Sequence, residues 1–506
     1  MMKKFTKCIL GTLLSGLAIT VTTACNGSSG GTKEKFEISI SARSLLAEQQ
    51  MLKIWKTRYE ELHPNVTVKI DGWGSNEGTS ESYIMKNALN RSYLTNIIYT
   101  TDDTTAYIAQ LKNLVDLRPY YESSAETDYT KYYSSMLDLT SFYGEFRPTT
   151  SYTGSYVSEK SDDAQYGVYF APREYNMPGM LCNVTLFKNC FATQEEKDNW
   201  DNTSLRKLLL RLADSNEWNW EALVKALQAI SQYLYQKIDV DKDTKYYAYR
   251  GIEMNNTWEP VYTTIIKELG SDGLFKEDEE TYEVACNMGS SKNVAVYNKI
   301  IEQFGTTKDA KTNPNKYMID TDYGNSNFGY QNIFMTVVSY PEVANYYEAF
   351  KKSNMELEFI NFPCEYVAAG CGGYGILVDK AEQVQKIKSG ETAKTADLCW
   401  DFIKFIISEE GQNLAGEGGY IQPVLKSLAS TGDWLKSYDE KLDHSAFCTA
   451  KELSLDSFTF ATPKTRSSLR TEVTSFFREI FSPNCTSYNS LLDTCTNSVN
   501  EILSKQ

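Results

Sequence analysis

Histidine is scarce in this sequence, and the residue patterns of common metal and hydrolase sites are missing. Only two histidines, His63 and His444, occur among the 506 residues. No two cysteines are spaced as Cys-x-x-Cys, no His-Glu-x-x-His motif occurs, and no nucleophile elbow stands between a predicted strand and helix. Because zinc sites are built mostly from cysteine and histidine, we expect no metal site. We also expect no other cofactor and no enzymatic activity.

Cysteine and positive charge are limited as well. Beyond residue 25, nine of the 11 cysteines are spread thinly along the chain. Three pairs lie close enough in sequence to invite pairing: Cys182 with Cys190, Cys364 with Cys371, and Cys485 with Cys495. A chain of this length does not need such crosslinks to fold, so we expect mostly free thiols. The net charge is −15 and no basic patch stands out, so nucleic acid is not an expected partner.

Beyond the N-terminal leader, no apolar run reaches membrane-spanning length. Residues 1–24 place three lysines before a short apolar stretch, which predicts a signal peptide. The leader ends in Ala24–Cys25 and resembles a bacterial lipoprotein cleavage site, although Thr22 stands where leucine is usual. We expect Cys25 to carry lipid, palmitate included, with plain secretion as the alternative. Residues 25–35 are rich in glycine and serine, as is typical of a flexible tether.

The folded part opens with the pattern of a parallel α/β sheet. Alternating apolar residues predict a strand at Phe36–Ile40, a helix follows to Leu62, and a second strand is predicted at Val66–Ile70. This succession indicates a βαβ unit. Since ligands bind at the carboxyl ends of strands in such sheets, Arg43 and Trp73 are placed where a ligand would lie.

Residues 395–428 combine a buried helix with a glycine-rich bend. Apolar residues from Leu398 to Ile407 occupy nearly every face of the predicted helix, which is typical of a buried one. After Ser408 the sequence becomes polar, and Gly416, Gly418 and Gly419 then interrupt regular structure. The bend carries Tyr420. This arrangement suits a hinge, although an ordinary helix–loop junction is the alternative.

The same stretch resembles the C-terminal signature of extracellular solute-binding protein family 1, the maltose-binding-protein type of carbohydrate ABC transporter receptor. Further segments resemble the family in chain order, including His63–Val68, Asp116–Tyr120, Tyr166–Phe187, Trp220–Leu223 and Gly370–Val378. The matching residues of the signature are Trp400, Phe402, Ile403, Lys404, Phe405, Ser408, Glu410, Gln412, Gly418, Gly419, Pro423, Val424, Lys426 and Ser427.

The resemblance implies a two-lobed, periplasmic-binding-protein-like α/β fold of type II. Each lobe would be a mainly parallel sheet flanked by helices, with the ligand cleft between the lobes. The expected division is residues 36–165 plus 356–410 for lobe 1 and 166–355 plus 411–506 for lobe 2. Crossings are expected near 164–172, 350–356 and 408–418.

The resemblance further implies a monomeric, extracytoplasmic receptor, lipid-anchored to a bacterial cell membrane. It would bind a carbohydrate, most readily an oligosaccharide, and deliver it to ABC permease subunits. Sugars require flat aromatic rings for their C–H faces and polar groups for their hydroxyls, and the chain contains 35 tyrosines. The predicted ligand contacts are Arg43, Trp73, Asp102, Asp103, Arg173, Tyr175, Trp258, Tyr374 and Tyr420.

Some of these residues have simpler interpretations. Asp102 and Asp103 would suit an exposed loop, Trp258 could pack in the core, and Arg43 could pair with a structural carboxylate. The glycines at 370–375 are interpreted as allowing close approach of the backbone to a ligand.

Other functions stay open at this point: a receptor for a peptide or another polar solute, an anchored glycoside hydrolase, or a structural adhesin. A calcium loop at 239–250 is not expected, because Thr244 and Arg250 replace the required glycine and glutamate.

Overall fold

The computed structural model describes residues 33–43, 46–73, 94–101, 108, 113–128, 131–132, 141–143, 166–237, 250–254, 259–278, 284–304, 319–320, 328, 333–368, 370–439, 441–448, 451–453, 463–482, 485 and 487–505. All structural statements below refer to these residues.

In chain order the strands are β1 (Phe36–Arg43), β2 (Val66–Trp73), β3 (Ile97–Thr101), β4 (Ser141–Tyr143), β5 (Tyr166–Val168), β6 (Ala171–Asn176), β7 (Pro178–Asn183), β8 (Arg250–Glu253), β9 (Phe275–Glu277), β10 (Val284–Cys286), β11 (Ile319–Asp320), β12 (Ile333–Ser339), β13 (Leu357–Asn361), β14 (Tyr366–Ala368), β15 (Gly370–Ile376), β16 (Val384–Lys386), β17 (Thr392–Lys394) and β18 (Lys451–Leu453).

The helices are α1 (Leu46–Leu62), α2 (Arg118–Glu122), α3 (Val184–Phe191), α4 (Gln194–Asp198), α5 (Ser204–Ala213), α6 (Trp220–Lys237), α7 (Glu259–Glu268), α8 (Ser291–Phe304), α9 (Val343–Lys352), α10 (Thr395–Ile406), α11 (Glu409–Glu417), α12 (Pro463–Phe481) and α13 (Asn489–Leu503). Short 3₁₀ turns lie at Ala125–Thr127, Tyr340–Glu342, Val378–Lys380, Lys426–Leu428, Asp433–Lys436 and His444–Phe447.

The first large sheet has the strand order β2-β1-β3-β15-β6. β1 runs parallel to β2 over its whole length and parallel to β3. β15 is antiparallel to both β3 and β6, so four strands share one direction and β15 alone is reversed. The alternation that predicted β1 is confirmed, because Phe36, Ile38 and Ile40 are buried.

The second large sheet repeats this plan with the order β11-β8-β12-β7-β13. β8 is parallel to β11 and β12, whereas β7 is antiparallel to β12 and β13. In both sheets the reversed strand occupies the fourth position. The predicted α/β organisation, with two mainly parallel sheets flanked by helices, is confirmed.

The helix α1 packs on the first sheet through one apolar stripe. Leu52, Trp55 and Tyr59 are fully buried, at the i, i+3 and i+7 spacing of one helix face. The Trp55 indole also donates a hydrogen bond to the Gly411 carbonyl oxygen, at 2.7 Å. This bond ties the first helix of the sheet to α11, which lies more than 350 residues later.

The predicted bend after α10 begins later than the sequence indicated. Ser408 does not open a loop; its side chain accepts a hydrogen bond from the Gly411 amide and caps a further helix, α11. Only glycine fits at position 411, because a Cβ there would lie 2.1 Å from the Phe405 carbonyl oxygen. The true bend starts at Gly418, and Gly419 adopts a positive φ of 72°.

The predicted domain boundaries stay a prediction, but sheet membership bears on them. β6, at 171–176, belongs to the first sheet, and β13, at 357–361, belongs to the second. Each chain crossing therefore lies several residues later than 164–172 and 350–356. Among the described residues, no helix is long and apolar enough to cross a membrane.

One of the two histidines makes the stability of the fold depend on pH. His444 is buried, and its ring nitrogens lie 3.1 Å from the Tyr340 hydroxyl and 3.1 Å from the Ser437 carbonyl oxygen. Burial lowers the pKa of His444 to about 4. Between that value and about 6.5, the unfolded chain binds a proton that the folded protein does not.

We therefore predict that protonation of His444 in the unfolded chain removes up to about 3 kcal/mol of stability as the pH falls from 6.5 to 4. His444→Gln should flatten this dependence, and His63→Asn, which changes the partly exposed histidine, is the control. Urea unfolding of all three proteins at several pH values measures the difference between the curves. Curves that keep the same slope in His444→Gln would contradict the assignment.

Candidate functional site

The carboxyl ends of the strands in the two large sheets are brought together by a very short link. β6 and β7 are separated by Met177 alone. β6 runs in the common direction of the first sheet and therefore ends at its carboxyl edge. β7 is the reversed strand of the second sheet and therefore begins at that sheet's carboxyl edge. A single residue cannot span more than a few ångströms, so the two edges are adjacent.

The second crossing returns between the same two carboxyl edges. β13 ends at Asn361 on the carboxyl edge of the second sheet, where Asn361 pairs with Gly179. β15 then begins at Gly370, which pairs with Asn176 on the carboxyl edge of the first sheet. The large-sheet strand that follows each of these two crossings is thus the reversed strand of its sheet. The region between the two edges is the natural place for a ligand.

A third crossing follows α11. This helix packs on α1 and α10 and also against the 3₁₀ turn Asp433–Lys436. In that turn, Trp434 lies in an apolar cluster with residues of the second sheet, beside Tyr340, with ring centroids 5.1 Å apart. Gly416 makes the transition possible, because a Cβ at this position would lie 2.9 Å from the Cβ of Trp434. The chain therefore changes lobes between the end of α11 and residue 434.

A buried ionic cluster lies directly behind the carboxyl edge of the first sheet. Arg173 of β6 donates to Glu174 at 2.6 Å and to Glu48 of α1 at 3.1 Å. All three side chains are at most 5% exposed. Burial opposes the charge on Arg173, but the adjacent Glu174 and Glu48 outweigh it and hold the pKa of Arg173 well above its ordinary value.

Aromatic rings complete this cluster. The Arg173 guanidinium carbon lies 4.1 Å from the centre of the Tyr99 ring and 5.6 Å from that of Tyr374. The Tyr99 hydroxyl donates to Glu174 at 3.3 Å, and Arg173 also donates to the Tyr374 hydroxyl at 3.3 Å. Burial raises the pKa of Tyr374, so this hydroxyl stays protonated. The cluster joins β3, β6, β15 and α1 into one rigid edge.

The glycines of β15 serve this packing. A Cβ at Gly372 would lie 2.2 Å from the Tyr99 hydroxyl, and one at Gly373 would lie 2.1 Å from the Ala171 carbonyl oxygen. The β15–β6 register also shifts between these two glycines. The interpretation that they make room for a ligand is replaced by one in which they make room for Tyr99 and β6.

Three of the predicted contact residues lie inside this edge. Arg173 is 3% exposed, and Tyr175 and Tyr374 are fully buried. Because a buried guanidinium needs its partners, Arg173 faces its carboxylates inside the lobe. The burial of all three side chains favours a supporting role behind the cleft over direct contact with a ligand.

The backbone places two other predicted residues at the carboxyl edge of the first sheet and one in the third crossing. Arg43 and Trp73 are the last residues of β1 and β2 and stand in paired register at the carboxyl edge. Tyr420 is partly exposed in the third crossing, where its hydroxyl donates to the Gln50 side chain of α1 at 3.3 Å. The predicted contacts Asp102, Asp103 and Trp258, together with Cys25, lie outside the described residues.

The sequence did not single out two polar residues that the structure places at the carboxyl edges. Asn176 ends β6, and its side-chain oxygen is buried with no hydrogen-bond partner among the described residues. Glu253 ends β8 in the second sheet and is fully buried. The only signal for either residue was its place at the end of a strand. No cluster of three or more potential metal ligands occurs among the described residues.

No protein-family model matches the sequence, and no curated protein is significantly similar to it. Solved structures with the same fold are numerous. The sugar-binding protein MalE from Xanthomonas citri is 12% identical with a TM-score of 0.60, over 93% of this chain and 98% of that one. An ABC substrate-binding protein from Listeria monocytogenes, in complex with cycloalternan, is 13% identical with a TM-score of 0.58, over 93% and 100%.

The GacH receptor of Streptomyces glaucescens, described in complex with acarbose, is 14% identical with a TM-score of 0.57, over 93% of this chain and 99% of that one. At these identities the likeness concerns the fold. The two-lobed α/β fold expected from the sequence is thereby confirmed over nearly the whole chain.

Because the Arg173 charge compensates two buried carboxylates, we predict that Arg173→Met lowers the free energy of unfolding by about 3–5 kcal/mol. The matched control is Arg58→Met, since Arg58 pairs with Glu410 and Glu61 on the surface. That change should leave the unfolding midpoint nearly unmoved. Chemical denaturation measures both, and equal midpoints for the two variants would show that the cluster does not stabilise the edge.

Proposed function

We propose that this protein is the extracytoplasmic solute-binding component of an ABC importer and that its ligand is a carbohydrate, specifically an oligosaccharide. The observation that carries the proposal is the apposition of two carboxyl edges across three crossings, in the fold shared with sugar-binding transport proteins. Two of the neighbours described above carry cycloalternan and acarbose, and these ligands support an oligosaccharide here.

The chemistry of the edges supports a neutral, hydroxyl-rich ligand. Asn176, the last residue of β6, is partly exposed, and its side-chain oxygen has no hydrogen-bond partner among the described residues. We propose this oxygen as an acceptor for a ligand hydroxyl. Tyr420 offers an aromatic ring on the third crossing, and Arg43 and Trp73 end adjacent strands. We propose these residues as ligand contacts, together with Asp102, Asp103 and Trp258.

The buried cluster favours binding over hydrolysis. A glycoside hydrolase needs two carboxyl groups that are free to act as acid and as base or nucleophile. Glu48 and Glu174, at the first carboxyl edge, are both engaged by Arg173. Their role is to hold the edge rigid, and we propose that the protein has no enzymatic activity.

The transport context adds further proposals. Residues 1–24 would be removed as a signal peptide, and Cys25 would carry the lipid that holds the protein at the outer face of the cell membrane. The tether would be shorter than the predicted 25–35 and end before Lys33, because Lys33 already pairs with Ile387 in the folded part. The ligand-closed form would be recognised by the permease subunits. We propose that the receptor acts as a monomer.

We predict that linear or cyclic oligosaccharides raise the thermal unfolding temperature of the purified mature protein. A ligand present at about 100 times its Kd adds about 2.7 kcal/mol of stability. Differential scanning fluorimetry against a panel of oligosaccharides, monosaccharides and short peptides measures the shift, and chromatography of the incubated sugars tests for cleavage. Stabilisation by peptides alone, or cleavage of any glycan, would overturn the proposal.

Variants then locate the site. Asn176→Ala and Trp258→Ala should each weaken the best ligand at least tenfold in isothermal titration calorimetry, through loss of a hydrogen bond and of a stacking surface. The controls are Asn199→Ala and Trp200→Ala. Trp200 lies over Lys188 of α3, which follows the opposite end of β7. Unchanged affinity in Asn176→Ala or Trp258→Ala would show that the substituted residue is not part of the site.

A further inference from the structure

Two buried glutamines connect the first and third crossings. Gln412 is fully buried in α11, and Gln422 is 1% exposed in the segment that follows the bend. A buried side-chain amide must find partners for one carbonyl oxygen and two N–H groups. Both residues meet this requirement entirely with groups on the chain crossings and the elements beside them.

Gln412 binds the first-lobe side. Its amide nitrogen donates to the carbonyl oxygens of Arg173 in β6, at 3.1 Å, and of Ile406 in α10, at 3.0 Å. Its side-chain oxygen accepts a hydrogen bond from the Val424 amide at 2.9 Å. Gln412 therefore fixes both the start of the first crossing and the segment beyond the bend to the helices of the first lobe.

Gln422 binds the link itself and the second-lobe side. Its backbone carbonyl oxygen accepts from the Tyr175 amide at 3.0 Å, and its side-chain oxygen accepts from the Met177 amide at 3.3 Å. Its amide nitrogen donates to the Phe447 carbonyl oxygen at 2.8 Å and to the Cys448 sulfur at 3.4 Å.

Phe447 belongs to the second lobe. Its ring packs against Phe359 of β13 at 5.4 Å and fills the space where a Cβ on Gly179 of β7 would lie. The contacts of the two glutamines thus form a continuous path between the lobes. Gln412 joins the first lobe to residues 422–424, and Gln422 joins that segment to Met177 and, through Phe447, to the second lobe.

We propose that Gln412 and Gln422 clamp the first and third crossings into one hinge, with Gln422 as the positioning residue that makes them move together. In the third crossing, bending is then confined to Gly418–Tyr420, between Gln412 and Gln422. That the hinge serves ligand-driven closure rests on the proposed function; the coupling itself rests only on these contacts.

The chain offers a matched control in Gln385. This glutamine is also buried, and its side chain accepts from the Glu37 amide at 2.9 Å and donates to the Glu37 carbonyl oxygen at 2.8 Å and to Thr395 at 3.2 Å. All of these partners belong to the first lobe. Gln385→Met therefore removes a comparable set of hydrogen bonds without touching a crossing.

Hydrogen–deuterium exchange of the ligand-free protein, read by mass spectrometry, tests the coupling. In Gln422→Met we expect exchange at least tenfold faster in residues 173–177 and, because the crossings are coupled, also in residues 420–424. In Gln385→Met the acceleration should appear around Glu37 and not at either crossing. Faster exchange at 173–177 alone, or equal acceleration at the crossings in both variants, would overturn the proposal.

Two further measurements keep the test decisive if Gln422→Met does not fold. Gln422→Glu retains an acceptor for the Met177 amide and loses the donors to Phe447 and Cys448, so exchange should rise at 446–448 more than at 173–177. In the unaltered protein under low denaturant, residues 173–177 and 420–424 should open with one common free energy. Separate opening energies would show that the crossings are independent, whatever ligand the protein binds.

Discussion

The architecture depends on the one-residue link between β6 and β7. Because Met177 is the whole of that link, the carboxyl edges of the two sheets have to lie side by side. The backbone amide of Met177 is also held in place, since it donates a hydrogen bond to the Gln422 side chain. The two strand edges that would border the proposed cleft are therefore joined by one short piece of chain. The second crossing joins the same two edges, and the third contacts the link through Gln422. The first crossing leads into the reversed strand β7, and the second leads into the reversed strand β15.

This constraint explains why so much polarity is buried behind the edge. A short crossing can orient a ligand only if the strand that carries it is fixed, and β6 is fixed by Arg173 through its carboxylates and its flanking rings. Removing one member of such a cluster leaves an uncompensated charge, which is why it holds a single arrangement. Glu48, in the first turn of α1, extends this rigidity to the strand ends where Arg43 and Trp73 stand.

The fold was largely predictable because its signals are local and periodic. Alternation located β1, one apolar stripe located α1, and the all-round apolar character of Leu398–Ile407 located α10. The extent of α11 was missed because its two glycines usually break helices; here Gly411 and Gly416 permit close contact with Phe405 and Trp434. Such contacts between distant residues have no signature in a single sequence.

The candidate site was less predictable for the same reason. Arg173, Tyr175 and Tyr374 have the side chains expected of a sugar site, and only the three-dimensional packing shows that they point inward. Conversely, Asn176 and the two clamping glutamines are ordinary polar residues whose importance comes from their position relative to the crossings. The predicted place of Arg43 and Trp73 at strand ends is confirmed, whereas their contact with a ligand stays a prediction. The same criterion would have selected Asn176 and Glu253.

The proposed function requires that the two lobes close around an oligosaccharide. Small-angle X-ray scattering of the mature protein, with and without a saturating oligosaccharide that stabilises it, tests this most directly. We expect a smaller radius of gyration in the presence of the sugar and no change with a sugar that does not bind. Tight binding with an unchanged radius of gyration, or binding that survives loss of both Asn176 and Trp258 side chains, would contradict it.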